Sequence, residues 1–230
     1  TSDHGDMAGE HDTSGKCKPF EDSVRVPTVV QTPAQRAGDS PAHRVETPAS
    51  LVDLFPTLCG LAGVEVPAGL DGTDLSAAVE TGAEPDRGPV VSDYLTPSFG
   101  FPEFRMVRDG DYKLVRYRRE DCPDFLFDLA ADPEETENLA AAGGPDDPAA
   151  AAAHERLDAF VEETLDFDVA EAIRRRDEEE LPQYELPTGT RGLHNAYHRP
   201  DGRVVEADTP LYHPHVIAED AERISPDYEE

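Results

Sequence analysis

Asp3, His4 and Gly5 stand together near the start of the sequence, and Lys16 follows after a short polar stretch. A carboxylate and an imidazole on adjacent residues can both reach one divalent cation when a turn lets the two side chains converge. A lysine beside such a cation adds a point charge that neutralises a substrate oxyanion. Each feature also has a plainer use: the Asp-His pair as a turn closed by a side-chain hydrogen bond, the lysine as a solvent-facing charge. Lysine appears only at positions 16, 18 and 113, while arginine supplies the rest of the positive charge. That economy gives Lys16 weight as a specific anion partner.

These residues need elements to position them. Thr1 to Asp6 is polar and contains Gly, like the stretches just past the carboxyl ends of buried strands where α/β proteins place ligands. Residues 24–30 are β-branched and apolar and predict a strand that Pro27 interrupts or places at an edge. Residues 31–47 read as loop. From Ser50, the positions Leu51, Val52, Leu54, Phe55, Leu58, Leu61 and Ala62 follow helical spacing, and Gly63 stops the helix. A long Gly-, Pro- and Asp-rich connection over 63–88 holds a short helical turn at 74–79.

A second block opens with a strand at 89–95. Two alternating runs, 104–108 and 111–117, flank Asp109-Gly110 and predict a hairpin with a type I′ turn. A further strand follows at 125–129. Asp146 and Asp147 before Pro148 start a helix that runs to Leu165, with Leu157, Phe160, Val161 and Leu165 toward a sheet. Ala170 to Leu181 reads as a solvated helix, and the chain beyond Pro182 as an extended tail. The expected division is 1–87, 88–165 as a small α+β unit, and 166–230 as acidic helix and tail.

With 50 Asp+Glu against 20 Lys+Arg the formal net charge is -30. A surface so negative repels phosphate backbones and anionic lipid heads, which argues against nucleic-acid and membrane partners. No apolar run reaches the ~18 residues of a membrane span. Cys17, Cys59 and Cys122 are too scattered for a disulfide framework or a zinc cage. High charge with little hydrophobicity signals either disorder or a folded protein suited to strong salt, where screening shortens to ~3 Å at 1 M. The periodic apolar blocks favour the second, and the Arg-over-Lys, acid-rich balance resembles haloarchaeal proteins. No signal-peptide pattern follows Thr1, which gives a cytoplasmic expectation.

The string Thr1-Ser2-Asp3-His4-Gly5-Asp6-Met7-Ala8-Gly9-Glu10-His11, then Gly15-Lys16, then Glu21-Asp22-Ser23-Val24-Arg25-Val26-Pro27, resembles the second metal-binding segment of the sulfatase family. That family belongs to the alkaline-phosphatase superfamily. The likeness continues in order through Ser50 to Leu58, Gly69 to Gly72, Arg105 to Leu114, Leu126 to Leu129, and Asp132 to Leu139. It covers roughly residues 1–165. The implied fold is α/β: the carboxy-terminal part of an alkaline-phosphatase-like sulfatase fold, with a small α+β antiparallel-sheet subdomain and an extended tail.

The resemblance implies that Asp3 and His4 ligate a divalent cation, usually calcium. It gives Lys16 the sulfate oxygens and the bridging ester oxygen, and it puts His11 near the substrate mouth. The implied substrate is a small-molecule or carbohydrate sulfate ester. Many members have Asn at the position of His4; His occurs in some sulfatases and in phosphonate and phosphate ester hydrolases, which form the alternative reading. The family nucleophile is a formylglycine made from a Cys or Ser in a Cys/Ser-x-Pro/Ala-x-Arg motif. Cys17-Lys18-Pro19-Phe20-Glu21 imitates that motif, but Glu21 stands where Arg is required. The nucleophile and two further Asp ligands are therefore expected in an amino-terminal half that precedes Thr1, and the isolated chain is expected to be inactive. A third reading is a non-catalytic truncated module. If residues 1–30 complete a sheet begun upstream, the lone chain exposes an unpaired strand edge and an apolar helix face. His213-Pro214-His215 and Arg174-Arg175-Arg176 read as bystanders and as a helix face with ion pairs.

Overall fold

Alternating side chains and a tight Gly-containing turn build the centre of the fold. Strand β1, Val90–Tyr94, pairs with β2, Phe104–Asp109; β2 pairs with β3, Tyr112–Tyr117; and β3 pairs with β4, Phe125–Asp128. All pairs are antiparallel, and the order is β1-β2-β3-β4. This computed structural model describes residues 1–95, 102–119, 121–141, 144–180, 197–198 and 204–205. The β2–β3 turn residues are Gly110 and Asp111, since Asp109 pairs with Tyr112. Gly110 has φ +60, and Asp111 is not among the positive-φ residues. That is the type II′ pattern, not the expected type I′: glycine occupies the first central position, not the second.

Each face of the sheet has its own cover. Helix α5, Pro148–Thr164, starts where the Asp147 carboxylate accepts the N–H groups of Ala149 and Ala150, both at 2.9 Å, with Pro148 in the first turn. Its Leu157 and Val161 meet Val107, Leu114 and Leu126, with Phe160 and Leu165 at the margin. Burying each such side chain stabilises the fold by about 1.5–3 kcal/mol. The opposite face carries Phe104, Met106, Val115 and Phe125, and the amino-terminal segment lies on it through Val24 and Phe20.

Before the sheet, the chain forms α1 (Glu21–Val24), α2 (Pro33–Ala37), α3 (Leu54–Ala62) and α4 (Ser76–Thr81). The expected strand at 24–30 does not form. Val24 ends α1, Pro27 offers no N–H, and among the described residues no ladder bond reaches residues 26–31. The expected loop at 31–47 contains α2 instead. Thr32 and Gln35 make a capping box, with Gln35 N–H donating to Thr32 Oγ1 (3.3 Å) and Thr32 N–H to Gln35 Oε1 (3.0 Å).

Helix α3 follows its predicted spacing but turns its apolar side outward. Phe55 and Leu58, with Val52 just before the helix, are 55%, 60% and 53% exposed, while Pro56 and Thr57, with Asp53 just before the helix, are buried. The inward side is polar because Asp53 holds a knot. Its carboxylate accepts Ser50 N–H, Thr73 N–H and both Nε–H and Nη2–H of Arg87.

Contacts group the chain into two units, Thr1–Glu171 and Ala172–Glu230. Helix α6 runs Phe167–Glu180, beginning earlier than the expected Ala170. In the tail, β5 (Tyr197–His198) and β6 (Val204–Val205) form a short antiparallel ladder. The rest of the predicted extended tail, including His213-Pro214-His215, lies outside the described residues. No helix among the described residues is long and apolar enough to cross a membrane.

Candidate active site

Asp3, His4 and Lys16 line one cleft of about 820 Å³. It lies on the sheet face opposite α5, with walls from residues 21–28, the segment 44–51, and β1 and β2. The segment 44–51 is steadied by Glu84, whose carboxylate accepts Glu46 N–H, Thr47 N–H and the Thr47 hydroxyl at 3.0, 2.9 and 2.6 Å.

Local bonding explains the two arms that reach into the cleft. On the first arm, Gly5 N–H donates to Ser23 O at 2.8 Å. A Cβ on residue 5 would collide with the Asp22 carbonyl, so only glycine allows this approach. His4 Nδ1 lies 2.7 Å from Gly5 O, and since a carbonyl only accepts, the proton sits on Nδ1. His4 Nε2 then faces Asp3 Oδ2 at 3.5 Å. Hydrogen bonding from its own backbone N–H, with smaller help from the His4 imidazole, holds the Asp3 carboxyl below the usual carboxylate range. Asp3 Oδ1 also accepts His4 N–H at 3.1 Å. The turn and the paired donors thus coexist in one geometry.

The second arm is a closed loop. Met7, fully buried, anchors it, and Met7 N–H donates to Gly15 O at 3.0 Å. Asp6 Oδ1 accepts Ala8 N–H and Gly15 N–H. Ala8, His11, Asp12 and Cys17 all have φ between 50 and 68. Four non-glycine residues in the left-handed region within ten positions is a concentration of strain of the kind found at ligand clamps. Lys16 projects from the end of this loop. Lys18, buried, donates from Nζ to Lys16 O (3.2 Å) and Ser14 O (3.4 Å). His11 stacks on Phe20 with ring centroids 3.9 Å apart and is not among the residues lining the cleft.

Beneath α1, Lys113 is wholly buried. Its ammonium reaches Glu135 Oε1 (2.6 Å), Glu21 Oε1 (2.8 Å) and Pro19 O (2.9 Å). Burial pushes the Glu135 carboxyl up, against the pull of Lys113. Sequence reading missed this cluster, and it missed Lys18 and Ser23 as well. The scarcity of lysine was the available signal, since two of the three lysines sit inside the protein.

Two donors are a corner, not a cage. Among the described residues no three His, Cys, Asp or Glu side chains gather to hold a metal ion. Calcium takes 6–8 oxygen ligands. The Asp3 carboxylate and the His4 imidazole would supply two donor side chains to such a shell. The nucleophile pattern is matched once after all, by Ser40-Pro41-Ala42-His43-Arg44. Ser40 follows α2 and does not line the cleft, although Arg44 does.

A carboxylate, an imidazole and a lysine thus line one cleft beside an antiparallel sheet whose other face is covered by a helix. Residues 9–163 match the family model described as N-sulphoglucosamine sulphohydrolase, C-terminal, and the chain belongs to that sulfatase family. Choline-sulfatase of Rhizobium meliloti (strain 1021) is 39% identical over 142 residues, 60% of this chain and 26% of that protein. Arylsulfatase K of Xenopus laevis is 33% identical over 150 residues, 61% of this chain and 27% of that protein. The chain thus spans about a quarter of the length of these relatives. A protein solved in complex with its substrate D-glucosamine-2-N,6-O-disulfate superimposes with TM-score 0.56 at 26% identity, over 71% of this chain and 32% of its own.

Proposed function

We propose that this chain is the carboxy-terminal part of a sulfuric ester hydrolase that cleaves sulfate monoesters of small molecules or carbohydrates. The carrying observation is that Asp3, His4 and Lys16, far from equivalent in sequence, line one cleft in a chain of the sulfatase family. Asp3 and His4 would hold a divalent cation, calcium by family likeness, which when bound supplies Lewis-acid polarisation of the sulfate oxygens. Lys16 binds a sulfate oxygen and meets charge as it develops on the bridging ester oxygen. The Gly5 carbonyl fixes the His4 tautomer and so keeps the imidazole Nε2 turned toward Asp3. His11, stacked on Phe20 and outside the cleft lining, is given no step in bond cleavage. The nucleophile would come from an amino-terminal part, and the chain alone would not turn over substrate.

His4 favours a second reading, hydrolysis of phosphonate or phosphate esters. Paired assays with 4-nitrophenyl sulfate and 4-nitrophenyl phosphate separate the two, using the polypeptide that carries this chain together with an amino-terminal part. The expected result is preference for the sulfate ester, and a loss of about 10²–10³ in kcat for Lys16→Ala. Preference for the phosphate, or full activity of the lysine variant, would contradict the assignment.

A further inference from the structure

Besides the bonds of Asp6 and Met7 to Gly15, the two arms of the cleft share a buried tie point at Ser23. Ser23, 3% exposed, accepts Gly5 N–H on its carbonyl at 2.8 Å, which ties down the Asp3–His4 arm. Its hydroxyl accepts Lys18 N–H at 3.4 Å, and the Lys18 ammonium in turn holds the Lys16 carbonyl. The distance between the Asp3–His4 arm and Lys16 is therefore set in part through α1.

Helix α1 is only four residues long and contributes little packing of its own. It is bolted to the sheet by charge. Lys113 has three ammonium hydrogens and three partners, Pro19 O, Glu21 Oε1 and Glu135 Oε1. Glu135 uses its second oxygen to accept Glu21 N–H at 2.6 Å. Glu21 Oε2 meets Arg108 Nη1 at 2.9 Å. Arg108 and Lys113 are direct cross-strand partners, a like-charge pair that repels unless something bridges it. Glu21 is that bridge. Glu135 itself sits at φ +56, a conformation it keeps because the surrounding bonds over-determine it. Two cations and two carboxylates thus cancel in charge while fixing residues 19–21 from below.

We propose that Lys113, Glu135, Glu21 and Ser23 form a positioning cluster that fixes Lys16 relative to Asp3 and His4. This rests on the reading of the cleft given above. None of the four is a catalytic residue; each acts through the backbone that carries Lys16 or Gly5. A brace that served stability alone would affect folding without altering how Lys16 meets an anion.

This chain contributes three lysines, so selective 13C/15N lysine labelling gives three side-chain signals from it, that of Lys16 being assigned by its loss in Lys16→Arg. Methyl sulfate is titrated, with calcium present, into the polypeptide that carries this chain together with an amino-terminal part, and the Lys16 signal is followed. In the wild type, Lys16 responds and the buried Lys113 stays silent. In Glu135→Gln, which keeps an acceptor but loses the charge, the Lys16 midpoint rises about tenfold while Lys113 remains shielded. In Ser23→Ala the rise is about threefold, and Ser23→Thr, which restores the hydroxyl, reverses it. Leu157→Ala, on the far sheet face, lowers stability without moving the midpoint. A folded Glu135→Gln whose Lys16 midpoint stays within about twofold of wild type overturns the proposal. So does an equal change in Leu157→Ala, which would mark a general stability effect. A wild-type Lys16 that ignores methyl sulfate removes the cleft reading itself, and that outcome is visible before any variant is made.

Discussion

The two faces of the sheet solve attachment in opposite ways. Toward α5, Val107, Leu114 and Leu126 lock against Leu157 and Val161 with 0–1% exposure, and charges stay at the rim. There Arg105 pairs with Asp93, and Arg116 with Asp124, Asp158 and Glu162. Toward the cleft, Lys113 is buried, with Arg108 and Phe127 as its cross-strand partners. The reason is the character of the cover. A helix with an apolar stripe can be held by non-directional burial. The polar, Gly-containing segment 1–24 offers little beyond Met7, Phe20 and Val24 to bury. Directed charged hydrogen bonds hold it, and such bonds define a position where oil-like contact would allow slippage.

This contrast can be broken experimentally. The largest effect is expected on the cleft face: Lys113→Met leaves two carboxylates without their shared partner and should cost about 3–5 kcal/mol in urea unfolding. A loss well under that range would mean the cluster is more hydrated than its burial indicates. Leu157→Ala on the other face should cost about 2–5 kcal/mol through transfer and cavity terms. It should leave the cleft residues unmoved in an amide chemical-shift comparison.

A pH series sharpens the comparison at the knot of α3. Burial opposes ionisation of Asp53, but Arg87 and the N–H groups of Thr73 and Ser50 outweigh it and hold the carboxyl below its ordinary range. A depressed folded value means the ionised form is favoured by the folded state. Its stabilisation is present above the unfolded value and is lost as pH falls below about 4. Asp53→Asn should flatten the acid limb of the stability curve; an unchanged limb would remove Asp53 as its source. The smallest effect belongs to an exposed ion pair. Arg119→Ala, which breaks the exposed pair with Asp121, should cost less than any variant above at low salt and less still in concentrated salt, by thermal unfolding.

The sheet and α5 were legible because their signals are local. Alternation, a Gly-containing turn and Asp147-Pro148 each act within a few residues. That Asp3, His4 and Lys16 share one cleft accords with the family resemblance of the segment that carries them. The strand expected at 24–30 was a misreading of β-propensity, which reports a fit to neighbouring strands that residues 26–31 do not have here. Helix α2 was missed although Thr32-Pro33-Ala34-Gln35 spells its cap. The inverted burial of α3 was beyond periodicity, which finds a stripe but not the side it faces. The Lys113–Glu135–Glu21 cluster joins residues up to 114 positions apart, so no local pattern could announce it.

The central claim is that Asp3, His4 and Lys16 act on one sulfate group. Its most direct test is a crystal structure of the polypeptide carrying this chain, with a divalent cation and an uncleaved sulfate ester bound. The account predicts the ion on the Asp3 carboxylate and His4 Nε2, with Lys16 Nζ within hydrogen-bond reach of a sulfate oxygen. An ester seated elsewhere in the cleft, with Lys16 turned to solvent and no ion at Asp3 and His4, would contradict it.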